Sequence, residues 1–273
     1  MRELVAEHKL SITRACRALQ LSRTSFYRPL SNWLERDRDV VEALAKITSE
    51  HHRWGFWMCF NVLRSQGYRW NHKRVRRVYR AMGLTHRHRG KRRLPIRFRQ
   101  SLETPPIPNC VWAVDFMEDR LYVGRRFRTL NILDEGVREA VHIEIDTSLP
   151  GERLVRVMEQ LKESRDLPAA IRCDNGPEFT SRVFTDWCND HDIELLYIQP
   201  GKPNQNAYIE RFNRTYREEM LSSYLFEDLD QVREMTHWWL ITYNETRPHA
   251  ALNGLTPMAF RTQIETKLST FDR

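Results

Sequence analysis

Ile171-Arg172-Cys173-Asp174-Asn175-Gly176-Pro177-Glu178-Phe179 reads as a short apolar strand that ends in a carboxylate on a tight turn. Asn-Gly-Pro is turn chemistry, so Asp174 has an ordinary explanation as a turn former. Its placement argues for more. A carboxylate leaving the C-terminal end of an apolar strand projects into the crevice where α/β sheets bind ligands.

Downstream, with 35 residues between it and Asp174, Glu210 lies one turn into an expected helix over 205–222. Ile209, Phe212, Tyr216 and Met220 form the apolar stripe of that helix, and Glu210, Asn213, Arg214 and Arg217 fall on an adjacent one. An acid, an amide and two cations on one face can hold a metal and grip a phosphate chain; a solvent-exposed ladder of ion pairs is the alternative. Upstream, Val111-Trp112-Ala113-Val114-Asp115-Phe116 puts a third carboxylate inside an apolar strand, with Trp112, Val114 and Phe116 on one face and Ala113 and Met117 on the face of Asp115. An ionised carboxylate there is costly unless it binds metal or pairs with a nearby arginine. Three acids on three elements point to a divalent-metal site acting on phosphodiesters. Hard oxygen donors suit Mg²⁺ or Mn²⁺. Two such ions can stabilise both the attacking and the leaving oxygen of an in-line displacement, so no Ser, Tyr or Cys nucleophile is needed. Without metal the acids repel, and at least one should titrate upward.

Around these residues the pattern alternates strands (111–117, 127–133, 139–146, 169–173, 194–198) with helices (150–164, 180–190, 205–222, 228–246). That order predicts a mixed α/β sheet layered between helices. Before it the chain reads as all-α: helices over 35–50, 56–66 and 72–82, preceded by a helix-turn-helix pattern over 11–28. There Ala15, Leu19 and Phe26 would pack inward, Gln20-Leu21-Ser22 would turn, Ser22 would cap the second helix, and Arg23 and Arg28 would face DNA. A purely structural helical hairpin fits that short pattern too. Lys73, Arg74 and Arg77 line one helix, and Lys91, Arg92 and Arg93 belong to a run over 85–101 that reads as a flexible, phosphate-binding linker. The expected division is 1–50 (helix-turn-helix-like), 51–104 (basic helices and linker), 105–262 (catalytic core) and 263–273 (tail).

Charge divides the same way. Residues 1–110 hold 24 Lys+Arg against 8 Asp+Glu, a balance of +16, and the rest of the chain carries −8. A basic nucleic-acid-binding arm joined to an acidic catalytic body follows, with a merely solvated basic tail as the alternative. Five scattered cysteines without a C-x-x-C pair argue against a disulfide framework and against a zinc module on His51, His52 and Cys59, and fit a reducing cytoplasm. No apolar run spans a membrane and the N-terminus lacks a secretory pattern, so a soluble, cytoplasmic protein without membrane partners is expected.

Taken together, Asp115, Asp174 and Glu210 resemble the DDE catalytic core of retroviral integrases and bacterial transposases. The chain is most similar to the second-frame product of the IS-three insertion-sequence family. Trp112–Phe116, Cys173–Phe179, Gln199–Asn213, Tyr243-Asn244-Glu245-Thr246-Arg247-Pro248-His249-Ala250-Ala251-Leu252 and Thr256-Pro257 carry that likeness. It implies a ribonuclease-H-like fold and dependence on Mg²⁺ or Mn²⁺, two ions held by Asp115, Asp174 and Glu210. It further implies 3′-end cleavage and strand transfer of double-stranded DNA, at element ends and target, by a homo-oligomer. Arg217 matches the family's DNA-contacting basic position; Asn213, Arg214 and Lys202 are further candidate DNA contacts. Arg247-Pro248-His249 matches a motif read as structural or DNA-positioning. Trp54-Gly55-Phe56-Trp57-Met58 departs from the family's usual Tyr-Gly-x-Arg-Arg-like run. The resemblance also implies a first-frame partner or frameshifted fusion, in a bacterial cytoplasm. A nuclease of the same fold, or a DNA-binding regulator with idle carboxylates, is the competing expectation.

Overall fold

Alternating apolar residues over 111–146 fold into an antiparallel meander of β1 (Val111–Arg120), β2 (Arg126–Asp134) and β3 (Ala140–Asp146). The structure, a computed structural model, describes residues 5–7, 9–27, 33–85, 104–199 and 203–271. On the other side of β1, β4 (Ala170–Cys173) and β5 (Glu194–Tyr197) add in parallel, giving the order β3-β2-β1-β4-β5. The five strands and the helices expected downstream of residue 110 all form, with their ends moved by a few residues.

The two-residue period of β1 sends its side chains into two different cores. Trp112 and Val114 join Leu130, Ile132 and Ile171 beneath α7 (Gly151–Ser164), which supplies Leu154, Val157 and Met158, and α8 (Arg182–Asp190), which supplies Phe184 and Trp187. Ala113 and Met117 pack on the opposite face with Leu133, Ile143 and Ile145. That face is covered by Ile209, Phe212 and Tyr216 of α9 (Ala207–Glu219) and Val232 of α10 (Leu229–Ile241). Each such buried side chain contributes about 1.5–3 kcal/mol, so burial on both faces fixes the register. A one-residue slip would turn Asp115 from the α9 face into the Trp112 core. After α10 the chain tightens through a π-helical turn (Thr242–Thr246) and ends in α11 (Pro257–Phe271).

The N-terminal part is helical, as expected. Helices α1 (Ile12–Ala18) and α2 (Arg23–Tyr27) are followed by α3 (Trp33–Arg36), α4 (Arg38–Glu50), α5 (Phe56–Ser65) and α6 (His72–Ala81). Ser11 caps α1 through the Arg14 N–H, and Gln20 turns the chain with a φ of 52°. One expectation fails here: Leu19 is 42% exposed, while Ala15 and Cys16 are buried. The helix ends at Ala18, so Leu19 is its C-cap and leaves the inward period. Ser22 hydrogen bonds through its hydroxyl to that of Thr24, at 2.7 Å. Helices α4, α5 and α6 share a separate core of Val40, Leu44, Ile47, Trp54, Val62, Leu63, Val75 and Val78. Trp54 is thus a core residue, and Trp57 of the same divergent run is exposed. Asp37, fully buried, ties α6 to the start of α4 by accepting from Arg74 Nε at 2.8 Å and from Arg77 Nη2.

Candidate active site

Asp115 lies in the middle of β1, on the face covered by α9, and pairs across the ladder with Asn131 of β2. Cross-strand partners share a face. Asn131 is fully buried and Asn213 is 8% exposed. The Asn131 amide donates to Asn213 Oδ1 at 2.7 Å, and Asn213 Nδ2 donates to Asp115 Oδ2 at 2.8 Å. The Phe116 N–H donates to the other Asp115 oxygen at 2.9 Å. A strand, its neighbour and a helix therefore fix one carboxylate.

Asp174 leaves the C-terminal end of β4, which runs parallel to β1 and pairs with it through Ala113. Its Oδ1 accepts the Gly176 N–H at 2.9 Å, an Asx turn that sets the carboxylate at the crevice rim. A Cβ at Gly176 would lie 2.9 Å from that oxygen and 3.3 Å from Glu178 Oε2, so glycine is what lets the two acids approach the same turn. Glu178 accepts from Arg128 of β2 at 2.5 Å, and that guanidinium also lies 4.4 Å from the Phe116 ring centroid. Glu210 sits on the exposed first turn of α9, three residues before Asn213.

The electrostatics tie the acids together. Burial pushes Asp115 up to about 6; the charges of Asp174 and Glu210 add to the rise, and the bonds from Phe116 N–H and Asn213 oppose it. Asp174 and Glu210 are exposed. The donor set is what a hard divalent cation takes, and a cation would relieve the repulsion that holds Asp115 high. Among the described residues, however, no three of Asp, Glu, His and Cys are gathered tightly enough to hold a metal ion as they stand. The residues fit such an ion in type and mutual charge and would have to close on it. Burial also pushes the thiols of Cys173 and Cys188 up to about 12, which keeps them protonated and poor nucleophiles.

The expected DNA contacts fare unevenly. Asn213 faces Asp115 instead of solvent, because the stripe containing it leans onto the sheet beside Phe212. Arg214 is exposed. Arg217 lies 3.3 Å from Asp119 and donates to the Glu118 carbonyl at 3.0 Å, with 45% of its side chain open. Arg23 and Lys73 are exposed, whereas Arg74 and Arg77 are engaged by Asp37. Arg28, Lys91, Arg92, Arg93 and Lys202 lie outside the described residues, as does most of the 85–101 run. Asn131 and Arg128 were not singled out from the sequence. The signal is partial: Asn131 is a lone amide between Leu130 and Ile132, and it falls opposite Asp115 because the ladder is centred on Val123, one residue before Gly124.

Family models described as "Integrase core domain" match residues 105–203 and 191–257, and one described as "HTH-like domain" matches residues 35–92. The last match covers helices α4 to α6, not the α1–α2 pair. The chain is 36% identical to the insertion element IS476 uncharacterized 39.2 kDa protein of Xanthomonas euvesicatoria, over 98% of this chain and 77% of that protein. It is 38% identical to the insertion element IS407 uncharacterized 31.7 kDa protein of Burkholderia multivorans, over 92% of this chain and 90% of that one. Among solved structures, it resembles a chain in the cryo-EM structure of the simian T-cell lymphotropic virus intasome in complex with PP2A regulatory subunit B56 gamma. That likeness has a TM-score of 0.50 at 14% identity, over 73% of this chain and 69% of the other, and speaks for the fold alone. Among the described residues no helix is long and apolar enough to cross a membrane.

Proposed function

Since the chain belongs to the insertion-element transposases that carry an integrase core domain, we propose that Asp115, Asp174 and Glu210 are its catalytic carboxylates. The observation that carries this reading is the hydrogen-bonded placement of Asp115 by Asn213, within the field of the other two acids. The three would hold Mg²⁺ or Mn²⁺, which when bound supplies positive charge to a phosphodiester undergoing displacement.

Two displacements at phosphorus then make up the reaction. In the first, a water oxygen attacks the phosphodiester at the element end; the bond from phosphorus to the 3′ oxygen breaks, and that oxygen leaves as a 3′ hydroxyl. In the second, the hydroxyl attacks a target phosphodiester, forming a new bond to phosphorus as a target 3′ oxygen leaves. No protein side chain is bonded to DNA in either step. Asp115 is held in orientation by Asn213 and Phe116 N–H, and Asp174 by its turn; in-line geometry of this kind accounts for much of such catalysis. The body from 105 to 262 is the catalytic core in this reading, and the basic segments before it hold DNA. Arg217, Arg214, Arg23, Lys73 and Lys202 are candidate contacts to double-stranded DNA. Assembly as a homo-oligomer on element ends, with a first-frame partner or fusion, belongs to the same reading.

Incubating the protein with duplexes ending in element termini and a target duplex tests it. Wild type should cut and join with Mg²⁺ or Mn²⁺, and Asp174→Asn should do neither while binding DNA equally well. Divalent metal should also raise the melting temperature of wild type and not of Asp174→Asn, a readout independent of turnover. Joining by Asp174→Asn, or a covalent protein–DNA adduct, would sink the assignment. Cleavage without joining would make the protein a nuclease of this fold.

A further inference from the structure

The Arg247-Pro248-His249 run takes no part in the carboxylate site, yet a second cluster gathers around it. Arg247 forks onto Glu219, with Nε at 3.1 Å from both oxygens and Nη2 at 2.9 Å from one. The His249 ring meets Tyr243 edge-on at 4.8 Å, and its buried Nε2 has no hydrogen-bond partner. Arg138 lies with its guanidinium 3.4 Å from the centroid of the Tyr208 ring. The charges of Arg247, Arg211 and Arg138 all reach His249.

Arg247 has a carboxylate. Among the described residues, Arg138 and Arg211 have none within ion-pair distance. The acids beside Arg138 are committed elsewhere. Asp134 accepts from the N–H groups of Asn109, Gly136 and Val137. Glu135 takes Arg172 and Thr104, and Glu139 takes Arg165 and Arg261. The turn therefore presents a cation without its counter-ion, on backbone bent to a φ of 60° at Arg138. Arg211 follows Glu210 directly on the first turns of α9, and Tyr208 precedes Arg211 by three residues, which puts the two on one side of the helix. The turn also receives the chain entering the core: Gly136 packs against the carbonyls of Pro105 and Ile107. Pro105 and Ile107 thus lie against the turn that carries Arg138.

We propose that Arg138 and Arg211 form a site for a DNA backbone phosphodiester, beside the turn of α9 that carries Glu210. The assignment deepens the strand-transfer reading and rests on it. Stacking on Tyr208 fixes the plane of the Arg138 guanidinium, so little freedom remains to be lost when its edge meets phosphate oxygens. Arg211, next to Glu210 on α9, supplies the second charge. The pair gives an acidic body a cationic foothold next to its own acids.

Binding of the full chain to a random-sequence duplex in EDTA, followed by fluorescence anisotropy across a salt titration, tests the site without turnover. Arg138→Gln and Arg211→Gln should each lower the salt slope by about 0.9, and the double variant by about twice that. Arg138→Lys should keep the slope while weakening the complex. If Arg138→Gln unfolds, Arg211→Gln decides alone, because its exposed side chain has no packing role. Folded variants with the wild-type slope overturn the proposal. Inorganic phosphate, added at matched ionic strength, separates the two anion sources. Displacement of DNA equally from wild type and double variant leaves a DNA-phosphodiester site. Protection lost by the double variant at an unchanged DNA slope would mean a free-phosphate site and overturn the assignment. Failure of the strand-transfer reading shows itself differently, as a wild type that joins no ends with metal, whatever the slopes in EDTA.

Discussion

Asn213 is the residue whose replacement separates geometry from charge most directly. Its amide accepts from buried Asn131 and donates to Asp115. Asn213→Ala leaves the Asn131 amide buried without an acceptor, a loss of about 1–3 kcal/mol, and frees one Asp115 oxygen to rotate. Asn213→Asp keeps the shape but sets a carboxylate against Asp115, so activity should fall further while a divalent cation restores more of the stability. Urea unfolding and end-joining measured on both variants check this; an alanine variant with wild-type stability would remove the relay. His249 carries a second prediction. Burial first, then Arg247, Arg211 and Arg138, lower its pKa from 6.5 to about 3, while a backbone bond at Tyr243 opposes them. The folded state thus binds this proton less well than the unfolded chain. The stability it contributes is full above 6.5 and is lost as pH falls from there towards about 3. His249→Gln cannot take up that proton, so its urea midpoint should decline less across the window. Parallel declines would refute the buried neutral histidine. At this scale the three acids were readable because each interrupts an apolar or helical period. Arg138 was not, and Asn131 was legible only as a lone amide in an apolar strand, because the partner that gives it a role, Asn213, lies far along the chain.

The elements explain why the acids meet. β1 brings Asp115 to the face under α9 by its two-residue period, and β4, parallel to β1, delivers Asp174 at its C-terminal end. That Asp115 departs from the face of Trp112, Val114 and Phe116, and that Asp174 ends an apolar strand, was legible in that alternation and in the apolar run ending at Cys173. What period alone could not supply is the strand order that puts β4 beside β1, because pairing across the sheet depends on contacts far apart in the chain. Helix ends were less legible than helix existence. Leu19 shows the reason: a left-handed Gln20 stops α1 one residue before its apolar period would. The Asp174 turn makes a sharp test of element geometry. Gly176→Ala must push either the Asp174 carboxylate, at 2.9 Å, or Glu178. Joining should fall by roughly 100-fold, the scale of an ångström-sized misplacement, with little change in melting temperature. Wild-type rates in that variant would show that the turn does not set the site. In α4–α6, Asp37→Ala removes the one acid that both Arg74 and Arg77 use. The arginines are partly exposed and can rehydrate, so the cost is about 1–3 kcal/mol, below that of breaking a fully buried pair. It should appear as earlier melting of the N-terminal helices, read through Trp54.

On the scale of the whole molecule the governing fact is that the catalytic body is acidic and its substrate is a polyanion. From residue 111 onward the balance is −8, and before it +16. The body has its own two-faced core and the N-terminal helices have theirs. Between them lies a cavity of about 180 Å³, lined by His51, His52 and Trp54 on one side and Glu219, Trp238 and Trp239 on the other. The separate cores, and not the cavity, are what let each part stand without the other. A fragment of residues 104–273 should therefore remain folded, with the far-ultraviolet spectrum of an α/β protein. It should lose most of its affinity for duplex DNA at physiological salt, because the charges that release counter-ions lie in the part removed. Its slope of log affinity against log salt should flatten without reaching zero. The remainder should come from Arg138 and Arg211 together with Lys202, Arg214 and Arg217, so the same fragment carrying both Gln substitutions should lose a further slope of about 1.8. A fragment with the full-length slope would show that the body binds DNA unaided and that the charge division has no part in binding. A flat slope in the unsubstituted fragment would leave the arm as the sole source of phosphate contacts. The basic arm would then have to bring DNA to the carboxylates against the field of the body, with no cation beside Glu210 to receive it.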